Sequence, residues 1–330
     1  MNWSVGDYDR EIFRRELESF VPDRIFDAHA HLYAAAHFDD APAWLNGGPE
    51  FAGLDAYRRR MDEIHPGRRC EGLFFGFPNV SMDIEAGNKL VADEVRTSGG
   101  SRGQMLVTPG MDPEYVRETV RRGGFVGLKC YHVYATQQPT WDAPVSAYLC
   151  EEHVRVAHEE GLSITLHMVR ARAMADPVNQ VEIRMYCERY PNIRMILAHA
   201  ARGFNPHHTI EGIGSLRGLG NVWCDTSAVT DAGAIEAIAR TLGVERLLYG
   251  SDFPVTHLRT RCVALGDSFL WLSEENTRLE AAHAPVRMTL CGIESLRTLK
   301  VAAMGLGWGD REVEAVFRGN AVGLFGAGSD

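Results

Sequence analysis

With 330 residues, 45% of them hydrophobic, and a formal net charge of -10, the chain can bury most of its unfolded surface in one large core. It lacks the clustered cations needed to displace counterions from a nucleic-acid backbone. The first ten residues mix charges without an apolar segment, so no secretory signal is read there, and no stretch reaches the roughly 18 uninterrupted apolar residues of a membrane span. A cytoplasmic protein with no nucleic-acid or membrane partner is expected. Its seven cysteines form no CxxC pair and are expected as reduced thiols.

Amphipathic spacing predicts a helix over 8–20. Short β-branched apolar runs follow at 24–29, 70–78, 102–111, 124–131, 163–168, 193–200, 221–228 and 246–254. Helical periodicity fills the gaps, as at 112–122, 145–160 and 178–190, often opened by Asp, Thr or Pro at the cap. Repeated strand-then-helix order implies parallel strands with right-handed crossovers, and no GxGxxG follows the first strand to favour a dinucleotide-binding sheet. The expected fold is a (β/α)8 TIM barrel, α/β in class, with extra N- and C-terminal helices. One domain is read over 1–330, its core at about 24–285 and a C-terminal helical extension at 286–330 with two helices over 287–325. These extensions would cover a barrel end or join copies into a homo-oligomer. The stretch 38–51 reads as a long loop over the catalytic face.

Barrel enzymes place their active sites at the carboxyl ends of the strands. The first strand ends in Asp27-Ala28-His29-Ala30-His31, and alternation along a strand turns both histidines the same way. His167 ends the fifth strand, His199 the sixth and Asp252 the eighth, while Lys129 interrupts the apolar run of the fourth. Imidazoles with a carboxylate suit zinc and similar ions, and water ionised on such a metal is a nucleophile at neutral pH whose proton an adjacent carboxylate or imidazole can move. The other histidines do not join this pattern: His153 and His158 read as solvent-side, His207 and His208 lie in a loop or helix start, and His37, His65 and His283 have no partner nearby in sequence.

These motifs resemble the amidohydrolase superfamily, in particular the amidohydrolase-related branch that includes aminocarboxymuconate semialdehyde decarboxylase. The resemblance rests on Asp27 to His31, His167, Leu197-Ala198-His199-Ala200 and Tyr249 to Pro254, and runs from about 24 to 325, including Arg318-Gly319-Asn320-Ala321. It implies a metal held by His29, His31, His167 and Asp252, with Asp252 and His199 as the catalytic residues. In the binuclear members a strand-four lysine, here Lys129, is carbamylated and bridges two ions, and the sixth-strand histidine, here His199, binds the second. One or two divalent ions are therefore expected, zinc first and manganese as the alternative. Buried beside a cation, Lys129 is expected as the bridging carbamate.

Residues just past the strand ends would line the pocket: Tyr131, His132 and Tyr134, Arg170 and Arg172, Arg202 and Asn205, His257 and Arg259. Several converging arginines suggest a small anionic substrate, since guanidinium grips a carboxylate or phosphate bidentately. The leading expectation is hydrolysis of an amide, ester or lactone bond in a small carboxylated molecule. The alternatives are a metal-dependent non-oxidative decarboxylase of an unsaturated or aromatic acid, and a catalytically inactive binding barrel.

Overall fold

A computed structural model describes residues 3–274, 276–277 and 286–326. Its strands are β1 Arg24–Ala34, β2 Phe51–Ala52, β3 Arg69–Gly76, β4 Arg102–Leu106, β5 Gly127–Tyr131, β6 Ser163–His167, β7 Arg194–Leu197, β8 Val222–Asp225, β9 Leu247–Leu248, β10 Thr260–Leu265 and β11 Ser268–Ser273. β1 and β3 to β9 pair in parallel in that order, and β2 adds an antiparallel edge to the end of β1. The barrel closes where the chain after β9 returns to β1: the Ala28 amide donates to Tyr249 O (2.7 Å), the Asp252 amide to His29 O (2.8 Å) and the His31 amide to Phe253 O (2.8 Å). This is the expected eight-stranded α/β barrel. Its strands are buried along most of their length, as parallel strands covered on both faces must be.

The crossover helices show why the chain alternates so regularly. Asp83, Asp112, Asp176 and Asp231 each cap a helix by accepting from its first-turn amides, which satisfies donors that have no partner inside the helix. Pro113 and Pro177 occupy the first turn, where a missing N–H costs nothing. Gly124 and Gly161 end their helices in the left-handed conformation that glycine adopts without a Cβ clash.

Both termini brace the barrel. At the amino end of the strands, Leu324 and Phe325 of the last helix pack with Phe26, Leu73, Ile196 and Leu248 from four different strands, and the Arg102 guanidinium at the start of β4 donates to Gly326 O (3.1 Å). At the other end Trp3 is fully buried, its ring 6.3 Å from both Trp44 and Phe253. The N-terminal helix begins as expected at Asp7–Ile12 but continues as a wider π-wound turn over Phe13–Leu17.

Two expectations change here. His153 is not on the solvent side: it is fully buried and its Nε2 donates to Met111 O (2.9 Å), so its helix turns a polar side chain inward to satisfy a carbonyl. His65 is buried too, with Nε2 2.7 Å from the Tyr249 hydroxyl; His283 lies outside the described residues. Arg259 faces away from the strand-end cavity and pairs with Asp9 (2.6 Å), which is 1% exposed and also accepts from the amides of Gly6 (2.8 Å) and Leu290 (3.2 Å). Removing one partner of such a pair strands the other. Asp9→Ala is accordingly expected to destabilise the fold by about 2–4 kcal/mol, read as a lower urea midpoint with an unchanged slope; a shift too small to resolve would mean the pair contributes no net stability.

Candidate metal and substrate site

His29 and His31 leave the carboxyl end of β1 on one face, as strand alternation requires. Both Nε2 atoms lie 3.4 Å from Asp252 Oδ1, and donor atoms of the three residues fall within 4.8 Å of one another. Asp252 sits at φ +59, a left-handed conformation that aspartate accepts better than most residues. Gly250 stands two residues before it because a Cβ there would approach the His29 Cβ to 3.0 Å and the Ser227 Cβ to 2.9 Å.

The second nitrogen of each imidazole is engaged. His29 Nδ1 lies 2.8 Å from Asp225 Oδ2, and His31 Nδ1 3.1 Å from Gly76 O. A carboxylate and a carbonyl accept, so both Nδ1 atoms donate and both Nε2 lone pairs face Asp252. Burial holds both imidazoles in the neutral form: it lowers the His31 pKa and, with the Lys129 charge adding to it, takes His29 to about 3. Burial alone would raise Asp252, but the imidazoles of His199, His31 and His29 around it bring it to about 2. Two neutral imidazoles and one carboxylate, oriented by hydrogen bonds behind them, are a donor set that fits a divalent ion such as zinc.

His167 and His199 stand opposite, with His199 Nε2 3.1 Å from His167 Nδ1. His199 was expected at the end of a strand; instead β7 stops at Leu197. Residues His199, Ala200, Ala201 and Arg202 then run through a left-handed turn at φ 57, 51, 58 and 56. Such geometry costs roughly 1–2 kcal/mol per residue and persists only where surroundings impose it. The turn throws both His199 and Arg202 into the barrel mouth. Lys129 lies below, fully buried, with Nζ 3.3 Å from His29 Nε2 and 4.4 Å above the Phe75 ring centre; burial lowers its pKa to about 8.

These groups open onto a cavity of about 480 Å³ lined by His29, His31, Tyr131, His167, His199, Arg202 and Asp252. Its walls are aromatic: Trp44, Phe77, Trp141, Phe204, Phe269 and Trp271. A larger depression of about 710 Å³ surrounds Pro22, Asp23 and Arg24 at the start of β1, on the opposite side from this chemistry.

The expected group of arginines resolves into one. Arg170 pairs with Asp176 (2.9 Å), and Arg172 with Glu211 (2.5 Å). His257 is buried against Trp3 and sits 3.0 Å from Arg60 O. None of these, nor Arg259, lines the cavity. His132 is packed beneath Trp141, with ring centres 4.1 Å apart, and is also not part of the cavity wall. Arg202 remains: it is 8% exposed, lies over Trp141 (5.3 Å) and Phe269 (5.5 Å), and donates to Met168 O (3.0 Å). Among the described residues it has no carboxylate partner.

Two contributors were not anticipated. Asp225 reads in sequence as an ordinary residue at a strand end. The hairpin β10–β11 supplies Phe269 and Trp271, and Asn205 holds its tip by donating to Gly266 O (3.0 Å) and Ser268 O (2.9 Å). Its signal was present: Gly266-Asp267 between two apolar-containing runs is a two-residue hairpin turn.

Comparison with known proteins gives a consistent picture. The family model "Amidohydrolase" matches residues 26–327. No curated protein matches the chain. Among solved structures, an amidohydrolase from Burkholderia multivorans with bound HEPES superposes with a TM-score of 0.61 at 13% identity, covering 92% of this chain and 99% of that one. The same protein with bound zinc gives 0.58 at 14% identity, covering 92% and 99%. A protein from Pseudomonas putida assigned as a 2-pyrone-4,6-dicarboxylic acid hydrolase gives 0.59 at 16%, covering 93% and 98%. The 5-carboxyvanillate decarboxylase from Sphingomonas paucimobilis gives 0.58 at 14%, covering 93% and 100%. At these identities the likeness speaks to the fold alone. No helix among the described residues is long and apolar enough to cross a membrane.

Proposed function

The chain belongs to the amidohydrolase family, and from that premise we propose that it is a metal-dependent hydrolase acting on an amide, ester or lactone bond of a small carboxylated molecule. One observation carries this reading: the donor atoms of His29, His31 and Asp252 face the same cavity as the guanidinium of Arg202, which has no carboxylate partner among the described residues. A buried cation without a carboxylate partner is costly, and a substrate carboxylate would offset that cost through charge-assisted hydrogen bonds.

A divalent ion, zinc or manganese, would be held by His29, His31 and Asp252 with His167 completing the set, supplying electrophilic polarisation and a nucleophile at neutral pH. Zinc is favoured by the donor types and by the bound zinc in the related Burkholderia protein. Asp252, ionised throughout the neutral range, takes the proton released as water attacks. His199 Nε2, a lone pair in the resting ring, would take that proton from Asp252 and deliver it to the leaving group. Lys129 has two roles open to it. As an ammonium it would face the substrate's negative charge. As a carbamate it would supply anionic oxygens to a second ion shared with His199, and burial favours this by keeping part of the amine neutral and reactive toward carbon dioxide.

A second reading, loss of carbon dioxide from an aromatic acid, is supported by the six aromatic side chains that wall the cavity, since flat rings stack on such walls. The test is product analysis on a panel of carboxylated lactones, amides and aromatic acids in isotopically labelled water, after elemental analysis of the purified protein. Hydrolysis places one labelled oxygen in the product; decarboxylation leaves the product oxygens unlabelled and releases carbon dioxide. A folded preparation that holds no metal, and neither binds nor responds to added metal, would overturn both.

A further inference from the structure

We infer that Asp225 is a positioning residue for the site's imidazoles: it fixes the ring proton of His29 directly and, through the Ser227 and His199 amides, holds in place the carbonyl and the turn that order His199 and His167. The inference rests on the metal-site reading above. Asp225 is fully buried at the end of β8. Its Oδ2 faces His29 Nδ1 (2.8 Å), and its Oδ1 accepts from the His199 amide (3.0 Å), the Ser227 amide (3.1 Å) and the Ser227 hydroxyl (2.5 Å). Both oxygens are therefore occupied by donors from β1, from the turn after β7 and from its own strand end.

On one side, an acceptor at Oδ2 fixes the His29 proton on Nδ1, leaving the Nε2 lone pair toward Asp252. On the other, the Ser227 hydroxyl spends its proton on Asp225 and its oxygen stands 2.9 Å from His199 Nδ1, which also lies 3.0 Å from Ser227 O. A carbonyl accepts only, so His199 Nδ1 carries a proton. In a neutral His199 the Nε2 is then a lone pair and accepts from His167 Nδ1 at 3.1 Å. That donation leaves His167 Nε2 unprotonated. The order runs from the Ser227 carbonyl through His199 to His167, and Asp225 holds Ser227 and His199 in place through their amides. The same carboxylate, through the His199 amide, pins the first residue of the left-handed turn that carries Arg202.

The experiment is nitrogen-15 NMR of the histidine rings in the metal-free protein, with zinc affinity measured by chelator competition in wild type, Asp225→Asn and Ser227→Ala. Wild type is expected to show His29 and His167 protonated at Nδ1. In Asp225→Asn an amide N–H can face His29 Nδ1, moving the ring proton to Nε2 and weakening zinc binding roughly 10–100-fold, with the circular dichroism unchanged. Ser227→Ala keeps the carbonyl that accepts from His199 Nδ1 and the amide that donates to Asp225, so it is expected to leave the His29, His199 and His167 tautomers in place. Wild-type His29 protonated at Nε2, or zinc binding by Asp225→Asn equal to wild type, would overturn the inference. Should Asp225→Asn fail to fold, the wild-type and Ser227→Ala ring spectra still decide it. Failure of the wild type to bind zinc would instead strike the metal-site reading, while the ring spectra test Asp225 independently.

Discussion

Asp252→Asn is expected to lower kcat by roughly 10²–10⁴-fold while removing far less of the bound metal. The carboxylate lies 3.4 Å from both ligand imidazoles, and its pKa, lowered to about 2, keeps it ionised in the neutral range. Asparagine has the same shape and tolerates the φ of +59 found here, and its carbonyl oxygen can still serve as a donor to an ion. What it cannot do is accept a proton from attacking water. Activity and metal content measured on one preparation separate the two roles, and an equal loss of both would reduce Asp252 to a plain ligand.

Arg202→Met is expected to cut kcat/KM for a carboxylated substrate by roughly 30- to 5000-fold, the range that follows from about 2–5 kcal/mol for truncating a buried charge partner. Methionine keeps much of the apolar stem between Trp141 and Phe269, so the packing survives and the charge does not. An uncharged ester of the same substrate should lose little. Arg202→Lys should restore only part of the loss, because an ammonium lacks the planar fork that binds a carboxylate through two parallel bonds. Loss of equal size on charged and uncharged substrates would show that the guanidinium holds the pocket open and does not recognise an anion.

His29 and His31 were legible through their period of two inside an apolar strand, Lys129 and His167 because they lie in or at the end of such strands, and Asp252 because it follows the last of them. What was not legible has a common cause, the absence of a local signature. A left-handed run is normally announced by glycine, yet here Ala200 and Ala201 adopt it under constraints from Asp225 and from Thr209, whose hydroxyl donates to Ala200 O (3.0 Å). Arg202 therefore looked no different in sequence from Arg170, Arg172 or Arg259, and only the positions of Asp176, Glu211 and Asp9 tell them apart. Asp225 was silent for the same reason, since its partners lie 196 residues away at His29 and 26 away at His199.

The hairpin β10–β11 carries a consequence for how such an enzyme changes over time. Its two strands form a sheet of their own, separate from the barrel's, and its turn hangs from the side chain of Asn205. Phe269 and Trp271 face the cavity, while Leu265 and Leu270 are largely exposed. Mutations that drift through 260–273 can thus reshape one wall of the chamber without touching a hydrogen bond between barrel strands or moving His29, His31 or Asp252. Selection for a new substrate has a module on which to act, and the chemistry beneath it can be inherited intact.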